Sequence, residues 1–484
     1  MREDGPYETL ITGGTVIDGT GAPGFAADVG VADGCIAAIG ALTGATAERV
    51  IDACGLAVAP GFIDVHTHDD NLMLTAPEMA PKVSQGVTTV VAGNCGISLA
   101  PLLSEAPPPP LDLLGDGYRF PVFAAYVAAL EAAPPATNAV LLAGHATLRV
   151  GVMDALDRPA TAAEIAAMRA RLGEALESGA AGLSTGLYYP PARAAPTEEV
   201  IALCAPVAPA GGIYATHMRD EGDRVTASIA ETGRIGREAR VPVVISHHKT
   251  QGVNNFGRTV ETLALIERLR ARQPLAIDVY PYTASSTVLS EAACERATRI
   301  LVTWSKAVPA AAGRDLDEIA RDWGTDRAGA IARLLPAGAV YFAMDEADVR
   351  RVLAYAHAMI GSDGLPHDAR PHPRLWGTFP RVLGHYARDL GLFPLPEAVR
   401  RMTGLPAERF GLAGRGRVAT GAVADLTLFD PDRVLDAATF DDPIRPAVGI
   451  AEVLVAGLAV WRDGAATGAR PGRVLKRGVD ACRW

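Results

Sequence analysis

Apolar residues recur along this chain in two textures, and the change between them divides it into three parts. From residue 7 to about 40, short β-prone groups alternate with Gly and Asp turns: Thr9-Leu10-Ile11-Thr12, Thr15-Val16-Ile17-Asp18, Asp28-Val29-Gly30-Val31 and Ile36-Ala37-Ala38-Ile39. The stretches 425–429 and 452–461 repeat that texture near the other end. Chain termini commonly lie close together, so residues 1–60 and 413–484 are expected to build one small β domain.

The middle, 61–412, alternates short apolar runs with amphipathic or Ala-rich stretches, the pattern of parallel β/α architecture. Eight runs can be read, at 61–65, 88–92, 139–143, 181–185, 213–216, 242–246, 276–279 and 358–361. Helical segments fall between most of them; in 162–178, Ile165, Met168, Leu172 and Leu176 recur at spacings of three and four. The expected fold is therefore α/β, a TIM-type (β/α)8 barrel carrying the small β domain. Between runs seven and eight lies a long insertion, 287–344, with helical texture around 316–335; it is expected to act as a lid.

At 484 residues the chain exceeds a single hydrophobic core, which agrees with a large domain plus an appendage. Hydrophobic residues make up 49% and charged residues 21%, as in an ordinary globular protein. The net charge of −10 removes the overall positive field that nucleic acid or an anionic membrane surface would require. Residues 1–6 carry Glu3 and Asp4 and no apolar leader, and no run of about 18 apolar residues occurs, so a cytoplasmic protein is expected. Cys35, Cys54, Cys95, Cys204, Cys294 and Cys482 form no CxxC pair and no short disulfide-like spacing.

The chemistry collects where the runs end. In a β/α barrel the C-terminal ends of the strands build the active site. Run one is followed by His66 and His68, two apart and so able to share one face. Run two leads to Asn94-Cys95, run five to His217, run six to His247-His248-Lys249 and run eight to Ser362-Asp363. Imidazole, thiolate and carboxylate are the ligands that zinc accepts. Cys95, between Gly93-Asn94 and Gly96, is placed to expose its sulfur on a tight turn. His248 must point away from His247 if the strand continues, and His145 and His385 taken singly read as satisfied core histidines.

Ala59-Pro60-Gly61-Phe62-Ile63-Asp64-Val65-His66-Thr67-His68 resembles the first-strand signature of the amidohydrolase superfamily, whose members pair a metal-dependent barrel with a small β domain. Within it the chain is most similar to the N-acyl-D-amino-acid deacylases, or D-aminoacylases. That likeness rests on Gly93-Asn94-Cys95-Gly96, Gly144-His145-Ala146-Thr147-Leu148-Arg149, Ser184-Thr185-Gly186-Leu187-Tyr188-Tyr189-Pro190, Ile245-Ser246-His247-His248-Lys249, Gly361-Ser362-Asp363-Gly364 and His372-Pro373-Arg374. Many relatives bridge two metals with a modified lysine on strand four, whereas 181–189 contains no lysine here.

The resemblance implies that Cys95, His217 and His247 hold one tight zinc, and that His66, His68 and Asp363 form a second, weaker metal position. It implies hydrolysis of a linear N-acyl-D-amino acid, with Asp363 as general base and then acid. Lys249, Tyr280, Ser286 and Arg374 match positions that contact substrate, and Tyr189 one near the scissile carbonyl. No dense basic cluster occurs in the insertion, which favours neutral, apolar side chains, although Arg296 and Arg299 leave an acidic preference open. A cyclic-amide hydrolase of the hydantoinase or dihydroorotase type and a non-catalytic scaffold are the alternatives.

Overall fold

The computed structural model describes residues 7–477; the leader reading at residues 1–6 and Cys482 lie outside the described residues. Each of the eight apolar runs forms a strand: β1 (Phe62–Asp64), β2 (Val87–Ala92), β3 (Asn138–Gly144), β4 (Gly182–Gly186), β5 (Ile213–His217), β6 (Val243–Ile245), β7 (Leu275–Val279) and β8 (Ala358–Ile360). They pair in parallel in sequence order. The ring closes between β8 and β1, where the Asp363 N–H donates to His66 O at 2.8 Å and Thr67 bridges Gly364. The TIM-type barrel is thus the observed architecture.

Every residue of these strands is buried, which explains why they read as continuous apolar runs rather than alternating ones. Alternation survives in direction. Val91, Val140, Leu142, Ala215, Val244 and Met359 fill the barrel interior, while Val90, Leu141, Leu183, Ile245 and Ile360 face the helices. Among those helices, Ala162–Glu177 begins at a capping box between Thr161 and Glu164 and buries Met168 and Leu172, the stripe its spacing predicts.

The small β domain is a nine-stranded sheet drawn from both ends of the chain. Its seam is the antiparallel pairing of Leu426–Phe429 with Ala57–Pro60, the segment that enters β1. Two local details differ from the sequence pattern. The groups at 9–12 and 15–18 belong to one strand, Tyr7–Val16, interrupted by a bulge between Ile11 and Gly14. The single run at 452–461 folds into a hairpin, because Ala456 and Gly457 both adopt positive φ, the geometry of a two-residue hairpin turn.

The segment read as an insertion is a unit with its own core. Ala284–Val288, Ala337–Phe342 and Arg299–Ser305 make a three-stranded antiparallel sheet, and Leu316–Asp322 and Arg327–Leu334 pack on it through Leu316, Ile319, Ile331 and Leu334. Among the described residues no helix is long and apolar enough to cross a membrane.

Candidate metal centre

The strand ends turn sharply where they deliver chemistry. Cys95, His247 and Asp363 have positive φ values of 53°, 36° and 51°, conformations that β-strand continuation would forbid and that cluster at functional sites. The turn at Cys95 is held by Asn94 Nδ2 donating to Val91 O at 2.9 Å. Gly93 is required there: its φ is +81°, and a Cβ would run into the Leu142 carbonyl of the neighbouring strand. The chain therefore lifts the Cys95 sulfur over the barrel mouth.

Two groups of metal-type atoms result, each with its atoms within 4.8 Å of one another: His66, His68, Cys95 and Asp363, and Cys95, His217 and His247. Cys95 is common to both. Its Sγ lies 3.2 Å from His66 Nε2, 3.4 Å from His247 Nε2 and 3.8 Å from His217 Nδ1. Asp363 Oδ1 lies 3.2 Å from His68 Nε2 and 3.5 Å from His66 Nε2. The structure thus brings together all six residues at which the sequence pointed, and it attaches the sulfur to both sets rather than to one.

Burial opposes the Cys95 thiolate, but His66 and His247 outweigh it and hold the thiol well below its ordinary value. Asp363 behaves alike: burial pushes its carboxyl up, while Arg374, His66 and His247 hold it well below the usual carboxylate range. Burial lowers His217 and keeps it a neutral ligand-type imidazole. A buried centre that keeps one thiolate and one carboxylate ionised among imidazoles suits a cation, and its donor chemistry fits zinc.

Lys249, Tyr189 and Ser286 share the wall of one cavity with His217, His247 and Asp363. Tyr280 and Arg374 do not line it. They stack behind it, the guanidinium 4.6 Å from the ring centroid, with Arg374 Nη1 2.9 Å from Asp363 Oδ2 and Nη2 donating to Ser286 O at 3.1 Å. Arg374 Nε and the Tyr280 hydroxyl are buried and find no hydrogen-bond partner among the described residues. The insertion's first strand supplies Ser286 and Thr287, whose Oγ1 lies 3.0 Å from the Tyr189 hydroxyl.

His248 points away from the centre, its Nε2 2.9 Å from Thr262 Oγ1. His145 lies in the core with its Nε2 3.0 Å from Glu199 Oε1, in a buried group with Arg149, but it is only half satisfied, since its Nδ1 finds no hydrogen-bond partner among the described residues. Three buried acids escape the reading of the strand ends. Asp278 accepts from the His247 N–H at 2.7 Å and sits 3.4 Å from His66 Nδ1. Asp64 accepts from the Ser362 N–H and from Lys82 Nζ, both at 2.8 Å. Glu221 lies behind His217 and His247. An ionisable residue inside an apolar strand was the available signal for Asp64 and Asp278. Glu221, in a polar loop after β5, offers none.

The sequence profile of the amidohydrolase family matches residues 49–263 and 223–461. A D-aminoacylase of Alcaligenes xylosoxydans xylosoxydans is 59% identical over 474 residues, 98% of this chain and 98% of that protein. An N-acyl-D-aspartate deacylase of the same organism is 52% identical over 488 residues, 100% of this chain and 98% of that protein. The solved structure of an N-acyl-D-glutamate deacylase from Bordetella bronchiseptica, complexed with zinc and a phosphonate mimic of the tetrahedral intermediate, superposes with a TM-score of 0.95. It is 48% identical and covers 98% of this chain and 100% of that one.

Proposed function

The chain belongs to the amidohydrolase family and, within it, to the N-acyl-D-amino-acid deacylases, and from that membership we propose zinc-dependent hydrolysis of N-acyl-D-amino acids to a carboxylate and a free D-amino acid. The observation that carries this reading is the buried Cys95 sulfur held between His217 and His247 on one side and His66, His68 and Asp363 on the other, beside a cavity walled by Lys249.

Cys95, His217 and His247 would hold the tight zinc, and His66, His68 and Asp363 a second, weaker metal. Zinc bound there supplies Lewis-acid chemistry, polarising the scissile carbonyl and favouring ionisation of the attacking water. Asp363, kept as carboxylate by Arg374, accepts the proton of that water and passes it to the departing amine nitrogen. Lys249 and Ser286, on the cavity wall, provide donors for the substrate's α-carboxylate, and the unpaired Arg374 Nε and Tyr280 hydroxyl lie buried behind that wall. Tyr189, its ring centroid 4.9 Å from that of His217, would stand next to the scissile carbonyl of a bound substrate.

Side-chain preference follows from the outer wall, where Tyr188, Ala293 and Tyr341 meet Arg296. Arg296 is neutralised by Asp220 at 2.7 Å, and Asp220 is itself fixed by the backbone N–H groups of Gly222 and Arg224. Arg299 pairs with Asp315 and does not line the cavity. An acidic substrate would have to displace Asp220, so neutral, apolar side chains are favoured. A full ligand set argues against a scaffold, and relatives named for linear substrates argue against a cyclic-amide hydrolase.

The test is hydrolysis of N-acetyl-D-methionine against its L-isomer and against N-acetyl-D-glutamate, with metal content determined on the same protein. Cleavage confined to the D-methionine derivative with about one zinc per chain supports the reading. Cleavage of the glutamate derivative in preference would reverse the assignment of Arg296, and a folded, zinc-supplied protein that binds no zinc would overturn the function.

A further inference from the structure

Behind the two imidazoles assigned to the tight zinc stands one carboxylate, Glu221, only 2% exposed. Its Oε1 lies 3.0 Å from His247 Nδ1, its Oε2 lies 3.7 Å from His217 Nε2, and Lys249 Nζ is 2.9 Å from both oxygens. In each imidazole the other nitrogen faces Cys95: Nε2 of His247 at 3.4 Å and Nδ1 of His217 at 3.8 Å. A neutral imidazole that gives one nitrogen to a metal carries its proton on the other, and that N–H needs an acceptor. For His247 the acceptor in place is Glu221 Oε1 at 3.0 Å; for His217 the same carboxylate stands at 3.7 Å, outside hydrogen-bond distance, and acts through its charge.

Lys249 Nζ also lies 2.8 Å from His247 Nδ1 and donates to His247 O at 3.0 Å. Nδ1 cannot accept from Lys249 and donate to Glu221 at once. When Nε2 faces the metal, Nδ1 is the donor, and the ammonium is held by the carboxylate and the His247 carbonyl instead.

We infer that Glu221 is a positioning residue that orients His247 for zinc, supports His217 by its charge, and sets the placement of the Lys249 ammonium that receives the substrate carboxylate. This rests on the proposed function, since it presumes both the zinc ligands and the role of Lys249. Glu221 also borders the cavity, but its two oxygens are turned to His247, His217 and Lys249, and its effect passes through those side chains.

The experiment measures zinc affinity of the stripped protein by chelator competition, without reference to turnover, in the parent, Glu221→Gln and Lys249→Met. Kinetics then compare N-acetyl-D-methionine with N-acetyl-D-methionine amide, which lacks the carboxylate. Glu221→Gln keeps the shape but gives a weaker acceptor, and its zinc affinity is expected to fall about 10- to 100-fold. Lys249→Met is expected to keep zinc affinity within about threefold while raising KM for the carboxylate substrate and sparing the amide. Parent protein that fails to bind zinc would remove the proposed function itself. Parent and Glu221→Gln with equal affinity would overturn the role of Glu221 alone, as would equal zinc loss in Glu221→Gln and Lys249→Met, which marks a merely structural cluster. Should Glu221→Gln not fold, Glu221→Asp is read in the same way, and unchanged zinc affinity there overturns the inference.

Discussion

Arg374 Nη1 lies 2.9 Å from Asp363 Oδ2, and this contact ties a guanidinium buried behind the cavity wall to the group that would move the proton. The guanidinium is fully buried against the Tyr280 ring and holds Ser286 O with Nη2. Its planar fork reaches several partners that an ammonium could not reach together.

Replacing Arg374 tests that linkage by pH. Arg374 is the largest influence holding the Asp363 carboxyl down against burial. Without the charge the carboxyl moves up, so the base is lost at a higher pH. In Arg374→Met the acid limb of kcat/KM is expected to shift to higher pH. Arg374→Lys keeps the charge and should leave the limb in place while lowering kcat/KM about 100-fold. An unmoved limb in Arg374→Met would separate the two residues functionally.

Asp363→Ala should retain the zinc held by Cys95, His217 and His247 but lower kcat by about 10²- to 10⁴-fold, the range for a general base. Metal analysis and initial rates on one preparation check both halves. Turnover near the parent level would exclude Asp363 as the base.

Cys95→Ala should lose zinc and activity together, because Cys95 belongs to both groups of ligands. The measurement is metal content after gel filtration. Full retention of zinc in this variant would remove the sulfur from the site.

A separate prediction concerns stability. Glu199 is buried with Arg149 and His145; burial pushes its carboxyl up, but those partners bring it down to about 2. The unfolded chain takes up this proton near the ordinary value of 4.5. Its contribution is therefore complete above that pH and is lost as the pH falls towards about 2. Glu199→Gln strands the buried Arg149 charge and should cost about 3–5 kcal/mol near neutrality, less in acid, by urea denaturation. Equal destabilisation at pH 7 and pH 3 would contradict the ion-pair origin.

The sequence by itself determined the barrel strands and the residue types at their ends, because strands buried on both faces must be apolar runs and ligands must interrupt them where the chain leaves the sheet. It also determined the small β domain in outline, through the shared texture of its two halves. What only the tertiary structure decided is which atoms meet. The sulfur of Cys95 lies within reach of both groups of metal-type atoms because Gly93, Cys95 and Gly96 turn through positive φ, and Gly93 packs so close to Leu142 of the neighbouring strand that no Cβ would fit. Glu221 illustrates the limit most sharply. In sequence it is one acid in a polar loop, four residues beyond His217, and nothing marks it off from a solvated charge. It becomes the acceptor behind the His247 imidazole only when β6, paired in parallel beside β5, brings His247 and Lys249 against that loop. Local pattern records what each segment buries; the partner of a buried charge lies on another segment, and barrel closure alone selects it.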